Sequence, residues 1–242
     1  MERDNKALDS DRLCFIIDEH LSNTECRQTN PFDMVAQKWS PEMKTVVDLG
    51  CGAGDSVDFF RSINSNVDWL GLDIACSPEV NMRHRSDAAF CSYDGTHIPL
   101  EANSVDLIFC RQVLEHVKKP QVLLQEIKRI LKGGGLFIGS VSQMEPYHSY
   151  SIFNWTAWGV KTHFEEAGLR VKEIRPGIDG LTLMMWYLTN GRFFNRYFKQ
   201  ESPLNWMIEK VGLWRGRSSS YISAAKLQFS GHICFLAEKT DD

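Results

Sequence analysis

Apolar positions recur along this chain with two periods. Short β-branched or aliphatic runs read as strands, and stretches with apolar residues every three or four positions read as helices. The two alternate, which is the pattern of a parallel sheet with helices packed on its faces. Leu13, Ile16, Ile17, His20 and Leu21 share one face of a leading helix over about Asp11 to Leu21. After Pro41 a strand is predicted at Thr45 to Leu49; it runs into Gly50-Cys51-Gly52-Ala53-Gly54 and gives way to a helix over Ser56 to Ile63. Further strands are predicted at Asp68 to Ile74, Ala88 to Tyr93, Val105 to Cys110, Leu136 to Ser142, Arg170 to Arg175 and His232 to Ala237, seven in all. Pro120 suits the first turn of a helix with the stripe Val122, Leu123, Ile127, Ile130 and Leu131, which Gly133 to Gly135 stop. Thr156 is placed to cap a helix ending at Gly168. Its Ala157, Val160, Phe164 and Ala167 share a face from which Trp158 points away.

Composition narrows the class without choosing a chemistry. At 242 residues the chain is long enough for one sizeable core, and a 43% hydrophobic share is ordinary for one globular domain. A net charge of −4 supplies no field that would gather a polyanion, so nucleic acid is not an expected partner. The cysteines (Cys14, Cys26, Cys51, Cys76, Cys91, Cys110 and Cys234) are scattered, form no C-x-x-C pair and read as reduced thiols, which points to a cytoplasmic protein. The polar opening MERDNKALDS and the lack of a long apolar run predict neither signal peptide nor membrane span.

The candidate chemistry sits where strands end. Glycines at alternate positions after the first strand let backbone approach a ligand closely, and the helix that follows turns its unpaired N–H groups and positive dipole end toward an anionic group such as a carboxylate. The spacing is G-x-G-x-G, flanked by Asp48 and Asp55, which is poor company for the pyrophosphate of a dinucleotide. Asp73 closes the second strand and is placed to accept from two ribose hydroxyls, with Ile74 beside it against an adenine face; a helix cap is the plainer reading. Asp94, just past the third strand and followed by Gly95, is placed to accept from the adenine amine. Each acid stands at the carboxyl end of its strand, the edge where open α/β sheets bind ligands.

These segments resemble the class I S-adenosylmethionine-dependent methyltransferases, in particular the small-molecule group that includes quinone-biosynthesis enzymes. The likeness runs from about Val46 to Gly168 and rests on Val46 to Asp55, Leu70 to Ile74, Tyr93 to Ile108, Arg111 to Val117, Leu131 to Leu136 and Thr156 to Gly168. It implies a Rossmann-like α/β fold, an open seven-stranded sheet whose last strand is antiparallel, with helices on both faces. It implies S-adenosylmethionine as cofactor, bound by Asp48, Gly50, Cys51, Gly52 and Gly54 near the methionine tail, Asp73 and Ile74 at the ribose and adenine, and Asp94 and Gly95 near adenine, with backbone of Cys110 and Arg111 near the amino group. The chain then divides into a helical cap (11–40), a cofactor-binding core (45–176), an insertion over the acceptor site (177–230) and a last strand (231–238).

Methyl transfer from an activated donor needs positioning more than reactive side chains, but a hydroxyl acceptor gains from a base. His116 and, in the loop after the fifth strand, His148 are the candidates, and Tyr147, Trp155 and Trp158 are expected to bind the acceptor. His163 reads as a packed histidine. Some relatives carry Glu-x-x-Glu-His for a divalent ion; here the first carboxylate is replaced by Gln112, a poorer ligand for a hard cation, so no metal is expected. In the insertion, the run Leu181 to Leu188 suits an adaptable apolar wall. Phe193, Phe194, Tyr197 and Phe198 share the face of a lid helix whose other side carries Arg192, Arg196 and Lys199. A basic amphipathic helix is also what an interfacial anchor presents, so a small-molecule acceptor carried on lipid is a second reading, and a catalytically silent adenosylmethionine-binding partner subunit a third. Oligomeric state is not legible.

Overall fold

The structure is a computed structural model that describes residues 10–147 and 149–240. The chain opens with α1 (Ser10–Ile17), continued by a 3-10 turn at Asp18–His20, so the expected leading helix is present with a tightened last turn. Then come α2 (Pro31–Lys38), β1 (Thr45–Leu49), α3 (Val57–Ile63), β2 (Asp68–Ile74), the one-turn α4 (Pro78–Asn81), β3 (Ala89–Tyr93) and β4 (Val105–Arg111). α5 (Pro120–Ile130), β5 (Leu131–Ser142), α6 (Ala157–Glu166) and β6 (Leu169–Pro176) follow. The chain closes with α7 (Gly180–Leu188), α8 (Pro203–Trp214), α9 (Ser219–Leu227) and β7 (His232–Lys239).

The strands form one sheet in the order β3-β2-β1-β4-β5-β7-β6. β1 runs parallel to β2 and β4, and β7 is antiparallel to both β5 and β6, as expected. Alternation along the strands separates two apolar layers. Val47 of β1 and Ile108 of β4 face a layer with Ile17, Leu124, Ile127, Val160 and Phe164, from α1, α5 and α6. Val46, Leu107 and Phe109 face Met34, Val35, Val57 and Phe60 of α2 and α3. The sheet therefore has helices on both faces. The caps are those the sequence offers: Asn30 accepts from the Asp33 N–H before Pro31, and Thr156 accepts from the Gly159 N–H.

Three local expectations need correction. Gly133 to Gly135 do not stop α5: the helix ends at Ile130, and β5 begins at Leu131, which pairs with Val105. The pairing slips between Val105 and Leu107, and Gly134, at φ +70°, takes up the irregularity inside the strand. Val122 is exposed and Leu124 takes its place on the buried face of α5. Phe193 to Phe198 do not form a lid helix. Asn190 (φ +49°) and Gly191 (φ +76°) break the chain after α7, and only a 3-10 turn at Asn195–Phe198 follows, so Phe193 is left exposed.

Candidate active site

The strand order reverses between β1 and β4, and there a cavity of about 1190 Å³ opens along the carboxyl ends of the parallel strands. One wall is the glycine turn after β1. The Gly50 N–H donates to the Leu72 carbonyl at 2.7 Å, and with φ at +73° a Cβ there would stand 2.2 Å from Val113 Cγ2, so no other residue fits between β1 and the segment after β4. Gly50, Cys51 and Gly52 line the cavity. Gly54 does not: it packs under Phe90, whose Cζ would lie 2.9 Å from a Cβ.

Asp48 is buried beneath the turn rather than at the cavity. It accepts from Ser56 Oγ at 2.5 Å, and that oxygen in turn accepts from Trp69 Nε1 at 3.0 Å. Burial pushes its carboxyl up to about 7 against the Ser56 bond and the Arg111 charge. Asp48 thus holds the turn from behind. Asp73 lines the cavity, with Oδ2 accepting from the Gly52 N–H and Oδ1 from the Ile74 N–H, both at 2.7 Å. It caps no helix; Ser77 caps α4 instead. Asp94 accepts from the N–H groups of His97 and Thr96 and from the Thr96 hydroxyl, all on Oδ1, and these bonds hold its carboxyl below the usual range. Ile74, Gly95 and Arg111 share the cavity, whereas the Cys110 side chain is buried between β4 and its neighbours.

Two histidines line the same cavity. His116 lines it from a 3-10 turn at Leu114–His116, and so does His232, the first residue of β7. Glu115 turns the other way: fully buried, its Oε1 lies 2.9 Å from Ser142 Oγ, and burial pushes it up to about 7. Gln112 also meets Ser142 and donates to Ser140 Oγ, so Gln112 and Glu115 converge on the Ser142 hydroxyl, while His116 lines the cavity. Among the described residues, the His/Cys/Asp/Glu group with metal-ligand spacing is Glu19, His20 and Glu165, far along the fold, and there Lys161 already meets both glutamates.

Residues 47–139 match the family model described as a methyltransferase domain. An uncharacterised protein of Methanocaldococcus jannaschii is 31% identical over 45% of this chain and 45% of its own. A ubiquinone biosynthesis O-methyltransferase of Acinetobacter baylyi is 24% identical over 56% of this chain and 60% of its own. The matches thus span about half the length of these curated relatives. Among solved structures, a methyltransferase-like chain of Haloferax volcanii, in complex with the Trm112 methyltransferase activator, superposes with a TM-score of 0.57 at 21% identity, over 96% of this chain and 95% of its own. Residues 47–139 thus have the pattern of a methyltransferase domain.

In this methyltransferase domain the cavity's glycine and acidic edge fits an adenosine bearing an amino-acid tail. Asp73 and Asp94 are carboxylates fixed by backbone N–H groups, and the apolar side chain of Ile74 stands exposed between them. Of the residues expected at the acceptor mouth, the structure brings only part together. Trp155 is 4% exposed and packs edge-on to Phe164 in the core, where its large apolar ring is better sheltered than at a wet mouth. Trp158 stands on the outer face of α6 and Tyr147 is exposed; neither lines the cavity, where Tyr150 of the same loop does. His148 lies outside the described residues. His163 is half-exposed beside Trp155 and Gln121.

Sequence reasoning missed the N-terminal wall, Asn30 to Asp33 with Phe32 under the Arg111 guanidinium, and His232; Phe198, expected on a lid helix, reaches the cavity from a 3-10 turn. The Asn30-Pro31 cap signal could have found the first. An antiparallel last strand could have found His232, because it begins at the edge where the parallel strands end.

Proposed function

We propose that this protein transfers a methyl group from S-adenosylmethionine to a hydroxyl oxygen of a small-molecule acceptor. The carrying observation is that one cavity is lined by the Gly50–Gly52 turn, Asp73 and Asp94 and also by His116 and His232. When bound, the cofactor supplies a methyl carbon already activated by its sulfonium. The chain's own part is then to bind, orient and accept a proton. Asp73 and Asp94 take hydroxyl and amine donors, Ile74 lies under a ring, and the turn's backbone meets a carboxylate. A cavity histidine is suited to take the proton that a hydroxyl gives up, His116 being the one that the sequence singles out.

Calorimetry tests this reading. Micromolar binding of adenosylmethionine and its demethylated product, with none of NAD, is expected. Asp73→Ala should weaken that binding at least tenfold, about 1.5 kcal/mol per charged hydrogen bond, with the fold intact. Unchanged affinity in Asp73→Ala would remove it from the ribose site, and NAD binding would overturn the assignment. A methyl-transfer screen over phenols, sugars and quinone precursors then separates an enzyme from a silent binding subunit.

A second reading, an acceptor carried at an anionic lipid surface, is favoured by the exposed apolar stripe of α7 (Leu181, Met184, Met185 and Leu188) and the basic residues that follow it.

A further inference from the structure

We propose that His232, oriented by Glu145, is the base that takes the acceptor's proton; the assignment rests on the methyl-transfer reading above. β7 runs against β5, with His232 opposite Ser142, so the first residue of the last strand arrives at the carboxyl edge of the parallel strands. There it lines the cavity beside Phe198.

Its Nε2 lies 3.2 Å from Glu145 Oε2, and the Glu145 side chain is 5% exposed. Among the described residues three groups meet that carboxylate: His232, the Tyr187 hydroxyl of α7, which donates to Oε1 at 2.6 Å, and Ser142 Oγ, which lies against Oε2 and whose one proton serves either this acid or Glu115. Burial alone would neutralise such an acid. The hydrogen bonds from His232, Ser142 and Tyr187, with the charge of the His232 ring in its protonated form, outweigh burial and hold it at about 2, so the carboxylate stays ionised opposite the imidazolium. A buried carboxylate on one ring nitrogen selects the neutral tautomer with the proton on Nε2 and leaves the Nδ1 lone pair for the acceptor. Hydrolytic triads orient an imidazole by the same kind of contact, with the roles of the two ring nitrogens exchanged. Glu115, the acid next to His116, shares the Ser142 hydroxyl with Glu145, and burial pushes it up to about 7.

As the acceptor oxygen forms its bond to the methyl carbon, the C–S bonding pair stays on sulfur and cancels its positive charge. The hydroxyl proton passes to Nδ1 of His232. The imidazolium so formed faces the Glu145 carboxylate until it releases the proton to solvent. Glu145 touches no substrate in this scheme and is a positioning residue.

Nitrogen-15 NMR of the full chain with adenosylhomocysteine reads the dyad without any acceptor. His232 is expected as the Nε2–H tautomer, and Glu145→Gln should mix the tautomers; His232 found as the Nδ1–H form overturns the proposal. Turnover is read with catechol and 3,4-dihydroxybenzoate as probes. His232→Ala should lower kcat by about 10² to 10⁴ with KM for adenosylmethionine little changed, and added imidazole should restore part of the loss. Glu145→Gln should lower kcat in the same direction, again without a matching change in KM. A His232→Ala variant that keeps wild-type kcat overturns the assignment in favour of His116. A wild-type chain that binds adenosylmethionine but methylates neither probe counts against the functional reading, and the tautomer measurement then decides the dyad by itself.

Discussion

Two buried or half-buried acids at the ligand edge, Asp48 and Asp73, look alike in sequence and do opposite things. Asp73 stands at the rim with its oxygens tied to Gly52 and Ile74. Asp48 sits behind the glycine turn, where burial raises its carboxyl from 3.8 to about 7. An acid whose folded value lies above its unfolded one keeps its proton longer in the native state, so stability falls as pH rises through that interval, from near 4 to near 7. Asn at this position still accepts from Ser56 Oγ but cannot ionise. Asp48→Asn should therefore gain in melting temperature over wild type between pH 5 and pH 8, read by thermal unfolding across that range. A difference that stays flat with pH would mean that Asp48 is not titrating in the fold.

At the scale of elements, α9 is held by a charge in an apolar setting. Lys226 is fully buried, and its Nζ donates to Glu201 Oε1 at 2.5 Å, Glu209 Oε2 at 2.7 Å and the Cys26 carbonyl at 2.8 Å, joining α9, α8 and the N-terminal segment. Removing one member of such a cluster leaves the others' charges uncompensated. Lys226→Met should cost about 3 kcal/mol in a urea titration, and adding Glu201→Gln and Glu209→Gln should recover much of it. No recovery in the triple variant would show that the lysine acts through packing alone. This cluster was invisible in the sequence because its partners lie far apart along the chain. The strands were legible, down to the bounds of β1 and β2, because their apolar runs have no other use. That Gly50, Gly52, Asp73 and Asp94 stand at one edge was legible because strand ends concentrate such residues. Trp155 was misplaced because closeness to the mouth in sequence says nothing about which way a ring packs. The Phe193–Phe198 face was misread because Asn190 and Gly191 outweigh a helical period only four residues long. His232 was passed over because its place depends on pairing with a strand some ninety residues earlier.

For the whole molecule the decisive feature is an uneven distribution of charge and apolar surface. The chain carries a net charge of −4, yet residues 181–222 hold Arg192, Arg196, Lys199, Lys210, Arg215 and Arg217 against only Glu201 and Glu209. Both of those glutamates are engaged by Lys226, which leaves the outer surface of this segment basic. The same segment exposes Leu188 at 78%, Phe193 at 73% and Trp214 at 83%, and on α8 Met207, Val211 and Trp214 follow one another at helical spacing. Phe198 and Lys199 carry this segment to the cavity itself. Among the described residues no helix is long and apolar enough to cross a membrane, so contact of this kind would be interfacial. Each lysine or arginine near an anionic bilayer contributes about 1 kcal/mol, and the attraction fades over a screening length of about 8 Å at physiological salt. The protein is therefore expected to sediment with phosphatidylglycerol vesicles and not with phosphatidylcholine vesicles, and to be released in large part by 0.5 M salt. Leu188→Ser with Trp214→Ser should lower binding further without altering the melting temperature, because neither side chain is part of the core. Equal sedimentation with both lipids, or a dimer in analytical ultracentrifugation that the same two substitutions dissolve, would assign this face to a second copy of the chain and leave the acceptor to arrive from solution.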